Sequence, residues 1–127
     1  MNLITKIDVY CIGSNDSILK EIKRSGYPES NWTMERKLAF FNEAVKWNSI
    51  VNIDALEDES GNLHVLSGWN QLDAILSSIA GFRENKNRKA VLSSRKITVT
   101  LRVINASVQY LEDLRLSIAD NYNRWLE

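Results

Sequence analysis

The sequence predicts a single small domain of mixed α+β class, an α/β arrangement with a short mixed sheet and helices packed around it. The chain has 127 residues, a usual length for one domain. Its composition, 44% hydrophobic and 25% charged, is ordinary for a globular protein. Segments that alternate apolar and polar residues are interspersed with segments of helical spacing. No internal repeat or domain boundary interrupts this order, so residues 1–127 are assigned to one domain.

Four strands are expected from apolar content and alternation. They cover residues 3–10, 49–56, 63–66 and 97–104. The second and third form a hairpin around the acidic turn 57–62, where Gly61 and Asn62 supply a permissive backbone. The last strand is the clearest, because Val99, Leu101 and Val103 alternate with polar residues.

Four helices are expected between and after these strands. A short one follows Asn15 or Asp16, and a stronger one follows Thr33 as N-cap. The stripe of the second helix faces the core and consists of Met34, Leu38, Phe41, Ala44 and Val45. The third helix follows Ser67-Gly68 and ends at Gly81. The fourth is capped by Asn105 or Ser107, and its apolar positions are Val108, Leu111, Leu114, Ile118 and Trp125.

Composition excludes several classes of protein. The single cysteine, Cys11, rules out an intrachain disulfide and fits a reducing compartment. No apolar run approaches the roughly 18 residues of a membrane span. Residues 1–12 lack the apolar region of a signal peptide, so a cytoplasmic protein with no membrane partner is expected. The formal net charge is zero, so only local patches could attract nucleic acid.

Metal and triad chemistry are not expected. His64 is the only histidine, and its place in the hairpin predicts a surface position. One histidine and one cysteine are too few for a zinc site. No Gly-x-Ser-x-Gly motif occurs, so a Ser–His–Asp triad is not predicted. We expect no cofactor and no metal.

A basic segment stands out in this neutral chain. Between Phe82 and Arg102 there are seven basic residues and one acid, Glu84, a local excess of six. The basic residues are Arg83, Lys86, Arg88, Lys89, Arg95, Lys96 and Arg102. Three interpretations stay open: a solvated loop, a contact to phosphate or nucleic acid with salt-dependent affinity, or a contact to an acidic partner protein.

The four tryptophans are many for this length. Trp47 and Trp125 lie near helix ends and are expected at the edges of the core. Trp32 lies in a linker. Trp69 begins the third helix, where it either fills a pocket or offers a surface for a partner or a base.

The junction between hairpin and third helix carries a family resemblance. It reads Ser67-Gly68-Trp69-Asn70-Gln71-Leu72-Asp73. This resembles ParB-like (ParB/sulfiredoxin) domains and the related N-terminal domain of GmrSD-type restriction systems, which have Asp-Gly-Gln-Gln-Arg-Leu-Thr there. The order of elements over residues 33–123 is similar too. The resemblance implies a turn at the start of a helix that binds phosphate through its backbone N–H groups, with an Arg that makes charge-assisted contacts to the same phosphate.

The departures from the family motif all oppose nucleotide binding. Gln71 stands at the Arg position and Ser67 at that of the acid. Trp69 would crowd a phosphate, and Asp73 adds negative charge in the first turn of the helix. The sequence therefore predicts an eroded nucleotide or phosphate site. Its residues are Ser67, Gly68, Trp69, Asn70 and Gln71.

Two functions follow from this resemblance. The first is a non-catalytic binding module that acts through a protein or nucleic-acid partner; the resemblance suggests a phage–host conflict or plasmid-maintenance system as its setting. The helix-turn-helix that follows the core of partition proteins is not expected here, so DNA reading of that kind is not predicted. The alternative is a divergent NTPase or nuclease that would use a nucleotide with Mg²⁺. Its rebuilt site would draw on Glu35, Arg36, Asp73, and Arg95 or Lys96.

Overall fold

A computed structural model describes residues 4–11, 17–83 and 97–126, with side chains described in 6–10, 17–80 and 97–118. The strands are β1 (Ile4–Cys11), β2 (Ile50–Glu57), β3 (Leu63–Ser67) and β4 (Thr98–Asn105). The helices are α1 (Met34–Lys46), α2 (Trp69–Arg83) and α3 (Leu111–Leu126). Short 3-10 helices occupy Ser17–Glu21 and Val108–Tyr110. The predicted mixed α+β class is confirmed.

The strands form one mixed sheet in the order β1-β4-β2-β3. β4 lies antiparallel to β1, from Ile4 opposite Asn105 to Cys11 opposite Thr98. On its other side β4 runs parallel to β2. The hairpin of β2 and β3 has an irregularity in register between Asp54 and Ala55. The last strand in the chain is therefore an inner strand of the sheet.

One face of the sheet carries the main core. Alternation along β2 and β4 turns Val51, Ile53, Val99 and Leu101 to this face. Helices α1 and α2 cover it with Phe41, Ala44, Val45, Leu72, Ile75 and Ile79. On the opposite face a smaller cluster gathers Leu56, Leu66, Ile104 and Leu111, with α3 as its cover. The sheet is thus covered by α1 and α2 on one face and by α3 on part of the other.

Helix α1 begins as predicted. The Thr33 hydroxyl accepts a hydrogen bond from the Arg36 backbone N–H at 3.2 Å. Phe41 and Val45 are buried, but Met34 is exposed, so its assignment to the core-facing stripe is wrong. Met34 is the first helical residue, and the buried part of the stripe begins only two turns later.

Two other helix boundaries differ from the predictions. Gly81 does not end α2, which continues to Arg83, because a glycine inside a helix costs only about 1 kcal/mol relative to alanine. Helix α3 begins at Leu111 after a 3-10 turn; Ser107 stands at the N-cap position of this turn, but its side chain makes no capping hydrogen bond. Val108 lies in that turn and is exposed, so it is not part of the buried stripe. The side chain of Trp125 lies outside the described residues. No helix in the described ranges is long and apolar enough to cross a membrane.

His64 is buried, so its predicted surface position is wrong. Its Nε2 lies 2.8 Å from Asp58 Oδ2, and its Nδ1 lies 2.6 Å from the Ser25 hydroxyl. An ionised Asp58 only accepts hydrogen bonds, so Nε2 donates to it, while Nδ1 has the Ser25 hydroxyl as its hydrogen-bond partner. These two hydrogen bonds of His64 join the segment around Ser25 to the β2–β3 hairpin. The two partners, one distant in sequence, remove the cost of burying an imidazole.

The Asp58 carboxylate predicts a pH dependence of stability. Its hydrogen bond with His64, and then that from the Asn62 backbone, hold the pKa of Asp58 below its usual range. A lowered pKa contributes stability that is present above the ordinary Asp pKa of about 4 and is lost as the pH falls through the folded-state value. We expect urea unfolding midpoints of the wild type to fall more steeply below about pH 4 than those of Asp58→Asn. Parallel pH profiles would contradict this.

Arg115 joins α3 to the same region. Its guanidinium donates to the backbone carbonyls of Val65, Ser25 and Arg24 at 2.8–3.0 Å. It also lies over the Tyr27 ring, 5.2 Å from the centroid. Since β3 is an end strand, Arg115 and a backbone bridge from Lys23 cover its outer edge. Covering an edge in this way prevents unwanted strand pairing.

Candidate functional site

A cleft of about 1230 Å³ lies beside the junction of β3 and α2. Its walls come from the segment 26–32, the C-terminal half of α1, the start of β2, the junction itself and α3. All five residues of the predicted eroded motif, Ser67 to Gln71, line it. The fold therefore brings the motif to the wall of a real concavity.

Gly68 forms the turn into α2. Its φ of +88° is a left-handed conformation that favours glycine. Its carbonyl accepts the first hydrogen bond of the helix, from the Leu72 N–H at 3.0 Å. The turn also lies against the backbone of Asn52 and Ile53 in β2. The glycine of the motif thus has a packing role that requires no ligand.

Sequence reasoning missed Asp54, the acid nearest to the motif. Asp54 lies on β2 opposite Ser67 and accepts a hydrogen bond from the Ser67 hydroxyl at 2.7 Å. Its other oxygen pairs with Arg102 Nε at 2.6 Å. Both carboxylate oxygens are therefore engaged. The sequence signal is slight, because the three residues come from three different strands.

Aromatic side chains form much of the cleft wall. Trp69 is half-buried and packs against the main core. Trp32 meets Phe40 edge to face with ring centroids 5.7 Å apart, and the Arg36 guanidinium lies 4.2 Å from the Trp32 centroid. Trp47 donates its indole N–H to Glu43 at 2.9 Å. These rings line the cleft together with Tyr27.

Three large apolar side chains that line the cleft are exposed to solvent. Trp47 is 66% exposed, Ile50 67% and Leu116 62%. The predicted place of Trp47 at the edge of the core is therefore wrong; it follows the last residue of α1, and its ring lies at the surface. Apolar groups of this size on one concave surface are typical of binding sites.

Among the described residues of the lining, the charged groups are mainly acidic. They are Glu43, Asp54, Glu112 and Arg115. The Arg115 guanidinium is occupied by backbone carbonyls and by Glu112, so it offers no free fork to an incoming anion. The electrostatics of the cleft therefore disfavour a phosphate and favour a cationic group.

The two acids considered for a rebuilt enzyme site are not among the described residues that line the cleft. Asp73 lies beyond the first turn of α2, so its predicted place in that turn is wrong, and it pairs with Lys37 of α1 at 2.8 Å. Glu35 is exposed in the first turn of α1, and Arg95 and Lys96 lie outside the described residues. Within the part of the chain that the structure describes, no group of three or more His, Cys, Asp or Glu residues could hold a metal ion.

Most of the basic segment lies outside the described residues. This applies to Lys86, Arg88, Lys89, Arg95 and Lys96 and to the side chain of Arg83. The segment enters β4 beside the cleft, where the Thr98 N–H donates to the Ser49 carbonyl at 3.2 Å. Arg102, the one basic residue of this set with a described side chain, is paired with Asp54.

Comparisons with protein-family models, curated proteins and solved structures return no match for this chain. Functional inference therefore rests on the residues themselves.

Proposed function

We propose that this chain is a non-catalytic, cytoplasmic binding module that holds a segment of a partner protein in the aromatic cleft. The observation that carries the proposal is the exposure of Trp47, Ile50 and Leu116 on one concave surface. Burying large apolar side chains is the main source of affinity in protein interfaces.

The size of the cleft supports a peptide rather than a small ligand. Its volume of about 1230 Å³ exceeds the roughly 300–1,000 Å³ of most small-molecule sites. Half-buried Trp69, Trp32 and Phe40 supply a rigid floor, since aromatic rings lose little conformational entropy on binding.

The charge of the cleft sets the chemistry of the partner segment. Glu43 and Glu112 are exposed residues of the lining, and Arg115, the one cation among its described residues, is already bonded. A segment with one or two aliphatic or aromatic anchors and an adjacent Lys or Arg fits this surface best.

The ParB-like resemblance agrees with this proposal, as a scaffold whose phosphate site has been lost. Gln71 supplies no charge, and the Ser67 hydroxyl is bonded to Asp54. Under the same resemblance the partner belongs to a phage–host conflict or plasmid-maintenance system. The divergent NTPase or nuclease and a nucleic-acid partner become outcomes of the test.

The test is selection of a random 12-residue peptide library on the folded protein, followed by calorimetry with the enriched peptides. We expect apolar-and-basic sequences with affinities in the micromolar range. Leu116→Asp should weaken them at least about 30-fold, the loss of a hot-spot contact of about 2 kcal/mol. Val108→Asp is the matched control, because Val108 is an exposed apolar residue of the segment before α3 that does not line the cleft.

Three results would overturn the proposal. One is enriched peptides that bind Leu116→Asp as well as the wild type. Another is saturable quenching of tryptophan fluorescence by micromolar ATP, CTP or GTP with Mg²⁺, which would favour the nucleotide enzyme. The third is single-stranded DNA binding that falls steeply with salt and is lost in a Lys89→Glu variant.

A further inference from the structure

The outer edge of β1 differs from the other edge of the sheet. At the β3 edge, Lys23 adds a backbone bridge and Arg115 occupies the Val65 carbonyl. At the opposite edge β1 pairs with β4 on one side only, and no strand in the described ranges pairs with its outer side. A strand of eight residues with an open edge is a template for pairing with another strand.

Apolar side chains accompany this open edge. Ile7 is 64% exposed and Val9 56%, and they lie on one face of the sheet opposite Arg102 and Thr100 of β4. Lys6 and Asp8 lie on the other face, where Lys6 Nζ is 3.2 Å from Asp8 Oδ2. β1 therefore has apolar groups on one face and one charge of each sign on the other.

The order of these residues makes β1 complementary to itself. Two copies of β1 can pair in antiparallel fashion about a two-fold axis normal to the sheet. Opposing side chains of the two strands then lie on the same face of the sheet only if the axis passes at the position of one residue and not between two residues. An axis at Ile7 sets Lys6 opposite Asp8 of the second copy, and Asp8 opposite its Lys6. An axis at Lys6 or Asp8 sets like charges opposite each other, and an axis at Val9 leaves Lys6 without an opposing acid. Opposite charges across strands stabilise a pair and like charges destabilise it.

We propose that β1 pairs with β1 of a second copy of this chain about an axis at Ile7, joining the two four-stranded sheets into one of eight strands. The contact buries Ile7 and Val9 of both copies beside the strand hydrogen bonds. None of the β1 residues with described side chains, 6–10, lines the cleft, so each copy keeps its binding surface. The dimer is small in area, and its dissociation constant should be on the order of 10 μM.

Charge swaps in β1 test the pairing. Sedimentation equilibrium of the full chain from about 1 to 300 μM should show a monomer–dimer equilibrium. Asp8→Lys sets a lysine opposite Lys6 of the other copy at both symmetry-related positions, and Lys6→Asp likewise sets an acid opposite Asp8; each should raise the dissociation constant at least about tenfold. The double swap Lys6→Asp/Asp8→Lys restores opposite charges and should return it to within about threefold of the wild type.

The control is Glu29→Lys, a reversal at a highly exposed side chain in the segment that follows the bridge of Lys23 to β3, the strand at the opposite edge of the sheet from β1. It should leave the dimer unchanged. Circular dichroism and thermal melting show whether every variant is folded. A wild type that stays monomeric throughout, single swaps that leave dimerisation intact, or a double swap that fails to restore it would each overturn the proposal. None of these outcomes depends on whether the cleft binds a peptide.

Discussion

Arg115→Ala should lower the free energy of unfolding by about 3 kcal/mol or more, because it removes the charged donors that three backbone carbonyls accept from. The Arg115 side chain is only 9% exposed. Its guanidinium bonds the carbonyls of Val65, Ser25 and Arg24, which belong to β3 and to the segment that borders the cleft. Loss of the side chain removes both the charged donors and the contact with Tyr27. Urea unfolding at neutral pH measures the effect.

Two variants make this result specific. Arg115→Lys keeps the charge but not the planar fork, so it should recover less than half of the lost stability. Glu112→Ala removes the salt-bridge partner, whose side chain is 76% exposed, and should cost no more than about 0.5 kcal/mol. Equal losses for Arg115→Ala and Glu112→Ala would show that the surface ion pair, and not the carbonyl contacts, is what Arg115 contributes.

Gly68→Ala should lower the free energy of unfolding by about 2–4 kcal/mol, from left-handed strain and overpacking together. The φ of Gly68 is +88°, and an added Cβ would lie 2.7 Å from Ile53 Cδ1 and 3.0 Å from the Asn52 carbonyl oxygen. The Ile53 methyl can turn away, but the carbonyl belongs to a central strand of the sheet and cannot. The start of α2 must then move, which also displaces Trp69 from the cleft wall.

Gly61→Ala provides the matched comparison. Gly61 has a similar φ of +83°, and an added Cβ there would meet nothing within 4 Å. It should cost only the backbone strain, about 1 kcal/mol. The difference in lost free energy of unfolding between Gly68→Ala and Gly61→Ala measures the contribution of the close packing between the Gly68 turn and β2. Equal losses would mean that the contact with β2 contributes nothing and that strain alone accounts for the glycine.

Local patterns in the sequence predicted much of the fold. Alternation from 97 to 103 placed Val99, Leu101 and Val103 on one buried face, and Thr33 caps α1 as expected. The alternation in β4 and the cap of α1 both depend on residues close together in sequence, for which steric and hydrogen-bonding rules are strong. The cleft residues Ser67 to Gln71 were found through the family resemblance and not through periodicity.

Two of the missed features depend on residues far apart in sequence. Asp54 and Arg102 are neighbours because β2 and β4 pair in parallel, which no local pattern specifies. The buried ring of His64 has a hydrogen-bond partner, Ser25, in a segment that is distant in sequence. Trp47 is expected at the edge of the core because it lies near a helix end, yet it is exposed at the cleft. Hydrophobic type predicts burial poorly where a surface serves a partner.

The central place of β4 has a consequence for biosynthesis. β1 is the first strand made, yet its partner in the sheet is the last one, and the ladder spans from Ile4 to Asn105. A nascent chain can form the β2–β3 hairpin early, but β1 has no partner and β2 has a bare side until residue 105 has left the ribosome. Such non-local closure slows folding and leaves strand edges open to other chains in the meantime. During synthesis the apolar faces of β1 and β2 are thus most vulnerable to aggregation just before β4 inserts between them.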